Sequence, residues 1–372
     1  MIFSQRVSCY GAALAISLGI VGCTQTATQQ SEGTNEAVPT ADLPQVVATS
    51  TVLCDLTKQI AQETANVTCL MSPNQDPHVY TPTPSDRKAI EDADLVLYGG
   101  YDYEPTLIRI IKATTTNAPK VAVYEVAVPK PLMGEHHHHE EGTAEATEAT
   151  GEVAAEEDHD HDHGEEAAAG HDHDHSKEAS AELAPDPHVW HNAQNGVQIV
   201  ETVQENLAKL VPEQAELYQQ NATTISQQLS EIDSWIKAQV TTIPETNRKL
   251  VTTHEALGYY ADAYGFELEG AIEGFSTEEK PSAARITSLV EQLKAAEVPA
   301  IFVETTTNPK QLETVAKEAN ITVADKPLYV EGPGGEGTEA PTYQAMLVEN
   351  TCTIVDGLGG QCDRASAPVN NS

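Results

Sequence analysis

Fourteen histidines are unevenly placed along this 372-residue chain, and their placement sets the chemistry open to it. Ten fall in one tract: His136, His137, His138, His139, His159, His161, His163, His171, His173 and His175, interleaved with Asp and Glu (DHDHDH, HDHDH). Imidazole nitrogen and carboxylate oxygen are both good zinc ligands. So polar a composition builds no core, so residues 134–184 are expected to be a disordered insert that binds several ions weakly and exchanges them quickly. The remaining four are His78, His188, His191 and His254. The tetrapeptide DPHV occurs twice, at 76–79 and 186–189, each time just ahead of a predicted helix. Proline stiffens the histidine that follows it, and the aspartate two residues earlier is placed to orient the imidazole ring. His254 ends the strand-like run KLVTTH and opens a helix. Three imidazoles brought together from such positions are the donor set of a tetrahedral zinc site.

Elements able to bring them together follow from the hydrophobic pattern. Strands are expected at 45–51, 67–71, 94–98 and 121–126, with helices at 55–64, 84–92 and 104–114. After the insert, helices are expected at 196–210 and from Pro212 to about Val240. In the second, Tyr218, Ala222, Ile225, Leu229, Ile232 and Ile236 recur at spacings of three and four, which puts them on one face. Alternation then resumes, with strands at 249–253, 267–272, 300–304 and 327–330 and helices at 255–264, 281–297, 309–320 and 338–356. The fold class is therefore α/β: two βα lobes joined by one long helix, with the metal site in the interlobe cleft, where the carboxyl ends of parallel strands meet. The expected divisions are a leader at 1–22, a tether at 23–44, an N-terminal lobe at 45–211, the connecting helix at 212–243, a C-terminal lobe at 244–360 and a tail at 361–372.

The net charge of −37 excludes partners that present phosphate backbones, so no nucleic acid is expected. Arg6, an apolar run too short to span a bilayer and the sequence Ile20-Val21-Gly22-Cys23 resemble a lipoprotein signal, with Cys23 as the lipidation site. That predicts a lipid-anchored protein in the periplasm or on the outer face of a bacterial cytoplasmic membrane. Cys54, Cys69, Cys352 and Cys362 then allow two disulfides, of which the local pairing Cys54–Cys69 and Cys352–Cys362 is one of three.

Several motifs together resemble the ZnuA-type, cluster A-I metal-binding proteins of ABC importers for zinc and manganese. These are NQDPHVYTPTPSD (74–86), DPHVW (186–190), THEALGYYADAYGF (253–266) and LYVEGPG (328–334). The resemblance covers about 45–358, including the long helix and the His-rich insert. It implies a solute-binding protein and not an enzyme, monomeric, that hands a divalent metal ion to a membrane permease. It also implies the ligands His78, His188 and His254, with Glu331 at the fourth, usually acidic, position. The manganese members usually carry Asp there, followed by Ser-Leu-Ser; here Glu331 is followed by Gly-Pro-Gly-Gly and either ligates or covers the site. His191 stands where an apolar residue commonly follows the tryptophan, and is expected at the rim.

The third ligand is usually Glu in the manganese members, whereas here it is His254, and one step to Glu255 turns the side chain about 100° away. Zn²⁺ is thus expected ahead of Mn²⁺, which prefers more oxygen and higher coordination. The rival readings are a manganese-binding member of the family, a zinc buffer or adhesin without an importer, and a zinc hydrolase. The last lacks an HExxH motif and would need an open coordination position in a pocket.

Overall fold

The computed structural model describes residues 43–136, 182–277 and 281–369. The N-terminal lobe is a four-stranded parallel sheet of β1 (Gln45–Ala48), β2 (Asn66–Cys69), β3 (Leu95–Tyr98) and β4 (Lys120–Ala122), in the order β2-β1-β3-β4. Helices α1 (Thr51–Ala61), α2 (Pro84–Asp92) and α3 (Pro105–Ala113) connect the strands. Their starts are written locally. Ser50 caps α1 through Leu53 N, and Thr83 and Asp86 form a reciprocal capping box around Pro84 in α2. The expected strand 121–126 is cut short, because Val123–Ala127 turns into a short helix, α4, that buries Val123 and Tyr124. An apolar run of this length does not by itself distinguish the two forms.

The His-rich segment leaves and rejoins the fold through an antiparallel ribbon of β5 (Met133–His136) and β6 (Glu182–Pro185). The ends of the expected disordered insert are therefore paired strands, and residues 137–181 lie outside the described residues. Helices α5 (Ala193–Leu210) and α6 (Ala215–Val240) follow. The six apolar positions read from the sequence are all buried along α6, which at 26 residues is about 39 Å long.

The C-terminal lobe repeats the pattern with shorter strands. Strand β7 (Lys249–Thr252) leads through α7 (Gly258–Tyr264) to β8 (Glu267–Ala271), its parallel partner. Helix α8 (Ala283–Ala296), β9 (Ala300–Ile301), α9 (Pro309–Ala319) and β10 (Thr322–Val323) follow, with β9 and β10 parallel. Phe302 N donates to Val251 O at 3.0 Å, joining the β9 and β7 segments. The expected strand 327–330 reduces to one bridge, Leu328 with Glu304, because its other backbone groups bond elsewhere. The last helix, α10 (Tyr343–Gly357), begins at the Thr342 cap, later than expected.

The lobes share more than the long helix. One continuous apolar core runs from Val46 and Leu53 through Trp190, Leu229 and Ile236 to Leu250, Met346 and Leu358. Helix α10 also docks on α1, where Asp55 accepts from Tyr343 N at 2.8 Å and Gln59 and Gln344 exchange amide bonds at 3.0 and 2.8 Å. Burial pushes the Asp55 carboxyl up to about 6. The expected tail is also packed, since Arg364 makes a two-pronged bond to Glu349 at 2.8 Å on each arm. Among the described residues, no helix is long and apolar enough to cross a membrane.

Of the three possible cysteine pairings the structure contains the local one, Cys54–Cys69 and Cys352–Cys362, with Cα separations of 5.5 and 5.1 Å. Replacing Cys54 and Cys69 together by serine is expected to lower the unfolding free energy by about 3 kcal/mol, the chain-entropy value for a loop of this size. Urea unfolding of the variant beside the parent checks it.

Candidate metal centre

His78, His188, His254 and Glu331 come from four separate segments and meet at one point between the lobes. One ligand atom from each lies within 4.8 Å of the others, and all four residues are buried. The site is enclosed, not an open cleft, with His188 and His254 fully sealed from solvent. Glu331 Oε1 stands 2.9 Å from His254 Nε2, 3.5 Å from His78 Nε2 and 3.8 Å from His188 Nε2. His188 Nε2 and His254 Nε2 are 3.3 Å apart. Four ligands on zinc bonds of about 2.0–2.1 Å would be separated by about 3.3 Å. The observed edges bracket that value.

The alignment of these atoms is as informative as their spacing. Glu331 Oε1 and His78 Nε2 are buried without a well-directed hydrogen bond from the protein, although neighbouring nitrogens are close. Buried polar atoms are rarely left so. These two atoms and the Nε2 pair of His188 and His254 crowd together as ligands do around a cation.

Two of the three imidazoles are held from behind. His188 Nδ1 lies 2.9 Å from Asp186 Oδ1, and the same oxygen accepts from His188 N at 2.9 Å. His254 Nδ1 lies 2.7 Å from Glu304 Oε2, while Glu304 Oε1 accepts from the backbone of Thr253 and His254 at 2.9 and 3.1 Å. A carboxylate on Nδ1 fixes the tautomer that leaves Nε2 free for metal and makes it more basic. At the first DPHV turn the aspartate acts through the backbone: Asp76 Oδ1 accepts from His78 N at 3.0 Å, and its other oxygen takes the Thr277 hydroxyl.

The two oxygens of Glu331 have different neighbours: Oε1 faces the histidines. Its Oε2 accepts from the Tyr103 hydroxyl at 3.0 Å. Burial, helped by Glu331 itself, lifts the Tyr103 phenol well above its ordinary range, so it stays a donor. The neighbouring Glu104, pushed up to about 7 by burial, accepts from Thr49 Oγ1 at 2.6 Å and Gly99 N at 2.7 Å and so secures the turn carrying Tyr103.

The sequence-predicted residues divide plainly. His78, His188, His254 and Glu331 are brought together. His191 is not at the rim; it is buried, with Nε2 2.8 Å from Val330 O. Cys23 and His137, His138, His139, His159, His161, His163, His171, His173 and His175 lie outside the described residues, and His136 closes strand β5. Sequence reasoning missed Glu304 and Tyr103. The only available signal for Glu304 was an acidic residue ending the apolar run AIFVE.

Burial alone would push the His188 and His254 rings down, but Asp186, Glu304 and Glu331 outweigh it and hold His188 above, and His254 well above, the ordinary histidine value. Burial would raise Glu331, yet the three imidazoles hold it well below the carboxylate range. Protons on these rings compete with metal. Zinc affinity is therefore expected to decline as pH falls through the raised histidine values, beginning above about 6.5. Stability of the metal-free protein has the opposite sign. The raised histidines contribute fully below about 6.5 and lose that contribution as pH rises through their folded values, while Glu331 stays ionised throughout. Melting temperature of the metal-free protein and zinc affinity, both followed from about pH 6 to 9, are expected to move in opposite directions. Glu304→Gln, which removes the charge behind His254, is expected to weaken zinc binding by about tenfold or more in chelator competition.

Comparison with known proteins agrees with this architecture. The family model described as the periplasmic component A of the zinc-uptake complex matches residues 46–357. A manganese-binding lipoprotein of Halalkalibacterium halodurans is 30% identical over 313 residues, covering 84% of this chain and 88% of that protein. The zinc-binding protein TroA of Treponema pallidum is 29% identical over 320 residues, covering 85% and 89%. The solved structure of periplasmic zinc-binding TroA from Treponema pallidum superposes with a TM-score of 0.69 at 28% identity, covering 85% of this chain and 99% of that one.

Proposed function

The chain belongs to the family of periplasmic zinc-uptake components, the substrate-binding proteins of metal ABC transporters, and from that premise we propose that its cargo is Zn²⁺, held by His78, His188, His254 and Glu331. The observation that carries this reading is the convergence of three imidazole nitrogens and one carboxylate oxygen, all buried and within 4.8 Å of one another. Three nitrogens and a single oxygen suit four-coordinate zinc. Manganese favours more oxygen and a higher coordination number. A two-oxygen grip by Glu331 would supply that, but Oε2 would then have to serve the metal and the Tyr103 hydroxyl together.

Capture requires the imidazoles to lose their protons and Glu331 to stay ionised. Asp186 and Glu304 then stabilise the positive charge that the metal brings to His188 and His254. Because the ligands come from both lobes, the ion ties them together. Release to the permease of an ABC importer requires that partner to draw the ligands apart. Burial of all four ligands leaves no face for a second substrate, which weighs against a hydrolase. Two disulfides fit an oxidising compartment, and several relatives are named lipoproteins, which supports an extracytoplasmic chain anchored through Cys23.

A second reading keeps the site and changes the ion: two similar relatives are named manganese-binding. Calorimetric titration of zinc and manganese into protein lacking residues 137–181 separates the two. One tight zinc site that exceeds manganese and collapses in His188→Ala is expected. Tighter manganese binding would transfer the assignment to that ion, and loss of all tight binding with the deleted tract would leave a buffer. Tyr103→Phe, which frees Glu331 Oε2, is expected to narrow the zinc-over-manganese ratio by roughly tenfold, an effect the size of one charge-assisted hydrogen bond.

A further inference from the structure

His191 and Trp190 are buried beside the centre without ligating anything, and both are aimed at one atom. Trp190 Nε1 donates to Val330 O at 3.1 Å, and His191 Nε2 lies 2.8 Å from the same oxygen. A carbonyl oxygen has two lone pairs, so the two rings fill it. The next carbonyl, that of Glu331, accepts from Thr51 Oγ1 at 3.1 Å and from Tyr103 OH at 3.3 Å. All four donors belong to the N-terminal lobe, whereas Val330 and Glu331 belong to the C-terminal one.

The chain changes hands at a definite place. Up to Tyr329 its partners lie within the C-terminal lobe: Leu328 N donates to Val303 O at 2.8 Å, and Tyr329 N and O are both held by the Asn350 amide at 2.8 Å. At Val330 and Glu331 the donors come from the other lobe. Gly332 follows with φ +124°, and a β-carbon there would overlap Thr51 Oγ1, so the backbone lies flat against α1. Burial, the largest influence, holds the His191 ring down at about 3, so it is neutral and can meet a carbonyl only by presenting Nε2–H.

We propose that Trp190 and His191 are positioning residues for the fourth ligand: by gripping the Val330 carbonyl across the lobe boundary they deliver the Glu331 carboxylate to the three histidines. This rests on the reading that those four residues hold zinc. His191 then acts on the metal only through Glu331, and the side chain contributes a donor, not a charge or a ligand.

The test is a double-mutant cycle on zinc affinity, measured by chelator competition on the full mature chain at neutral pH. His191→Phe keeps the ring and removes the donor, and is expected to weaken zinc by roughly ten- to hundredfold, the range for residues that orient a ligand. In the Glu331→Ala background the same change is expected to cost less than about twofold, since nothing remains to be positioned. His191→Gln, whose amide nitrogen can stand near the Nε2 position, is expected to recover most of the loss. Trp190→Phe, which removes the other donor, gives an independent reading if His191→Phe does not fold. Equal losses in both backgrounds, no loss in the parent background, or no recovery with Gln would overturn the proposal. Absence of tight zinc binding by the wild-type chain would instead overturn the metal-site reading beneath it.

Discussion

Three imidazole nitrogens and a carboxylate oxygen, all cut off from water, stand within 4.8 Å of one another, and the tolerance of that crowding governs the rest of the structure. Lone pairs do not gather in a low-dielectric interior unless a cation joins them or the surrounding fold forces them together. Here the forcing is visible. Asp186 and Glu304 hold two rings from behind, Tyr103 holds the second carboxylate oxygen, and the backbone bearing Glu331 is bound from the opposite lobe. Asp186, Glu304 and Glu331 outweigh burial and hold His188 and His254 above the ordinary histidine value, so without metal the cluster keeps protons. The ion replaces those protons in a frame already in place.

Such a frame needs lobes that do not wander. The connecting helix supplies part of this, and a core that passes without a break from Val46 to Leu358 supplies more. Satellite clusters lie to either side, one around Val96 and Leu107 and one around Leu293 and Val315, so each lobe keeps its own outer packing. The α1–α10 contact through Asp55, Gln59 and Gln344 adds a polar tie between the lobes. Large hinge opening would have to tear apolar core, so motion is confined to loops and to the segments that carry ligands.

Much of this was legible in the sequence because it is local. Short apolar runs between helical stretches gave β1, β3 and β7, and the three-four spacing of Tyr218 through Ile236 gave the long helix. The DPHV repeats marked two ligands because proline and aspartate act within two residues of the histidine. What escaped was non-local. Glu304 is fifty positions from His254, and the Tyr103–Glu331 pair joins residues 228 positions apart. His191 misled because a histidine beside a ligand turn looks like a rim residue until its partner, 139 positions away, is known. Strands at 121–126 and 327–330 were overdrawn because apolar runs do not say where backbone bonds go: the first leaves the sheet for a helix at Val123, and the second keeps one bridge.

The β5–β6 ribbon brings Met133 and Pro185 side by side before the chain departs for the His-rich tract. The excursion thus begins and ends at a closed neck, and closing a loop whose ends already touch costs only a logarithm of its length. Whatever happens to the number or order of residues beyond that neck, the two-lobed body feels little of it. The neck sits one residue from Asp186, so both ends of the tract are fixed beside the carboxylate that holds the His188 ring. A change in length beyond the ribbon therefore reaches the coordination chamber only through the four paired residues of each strand.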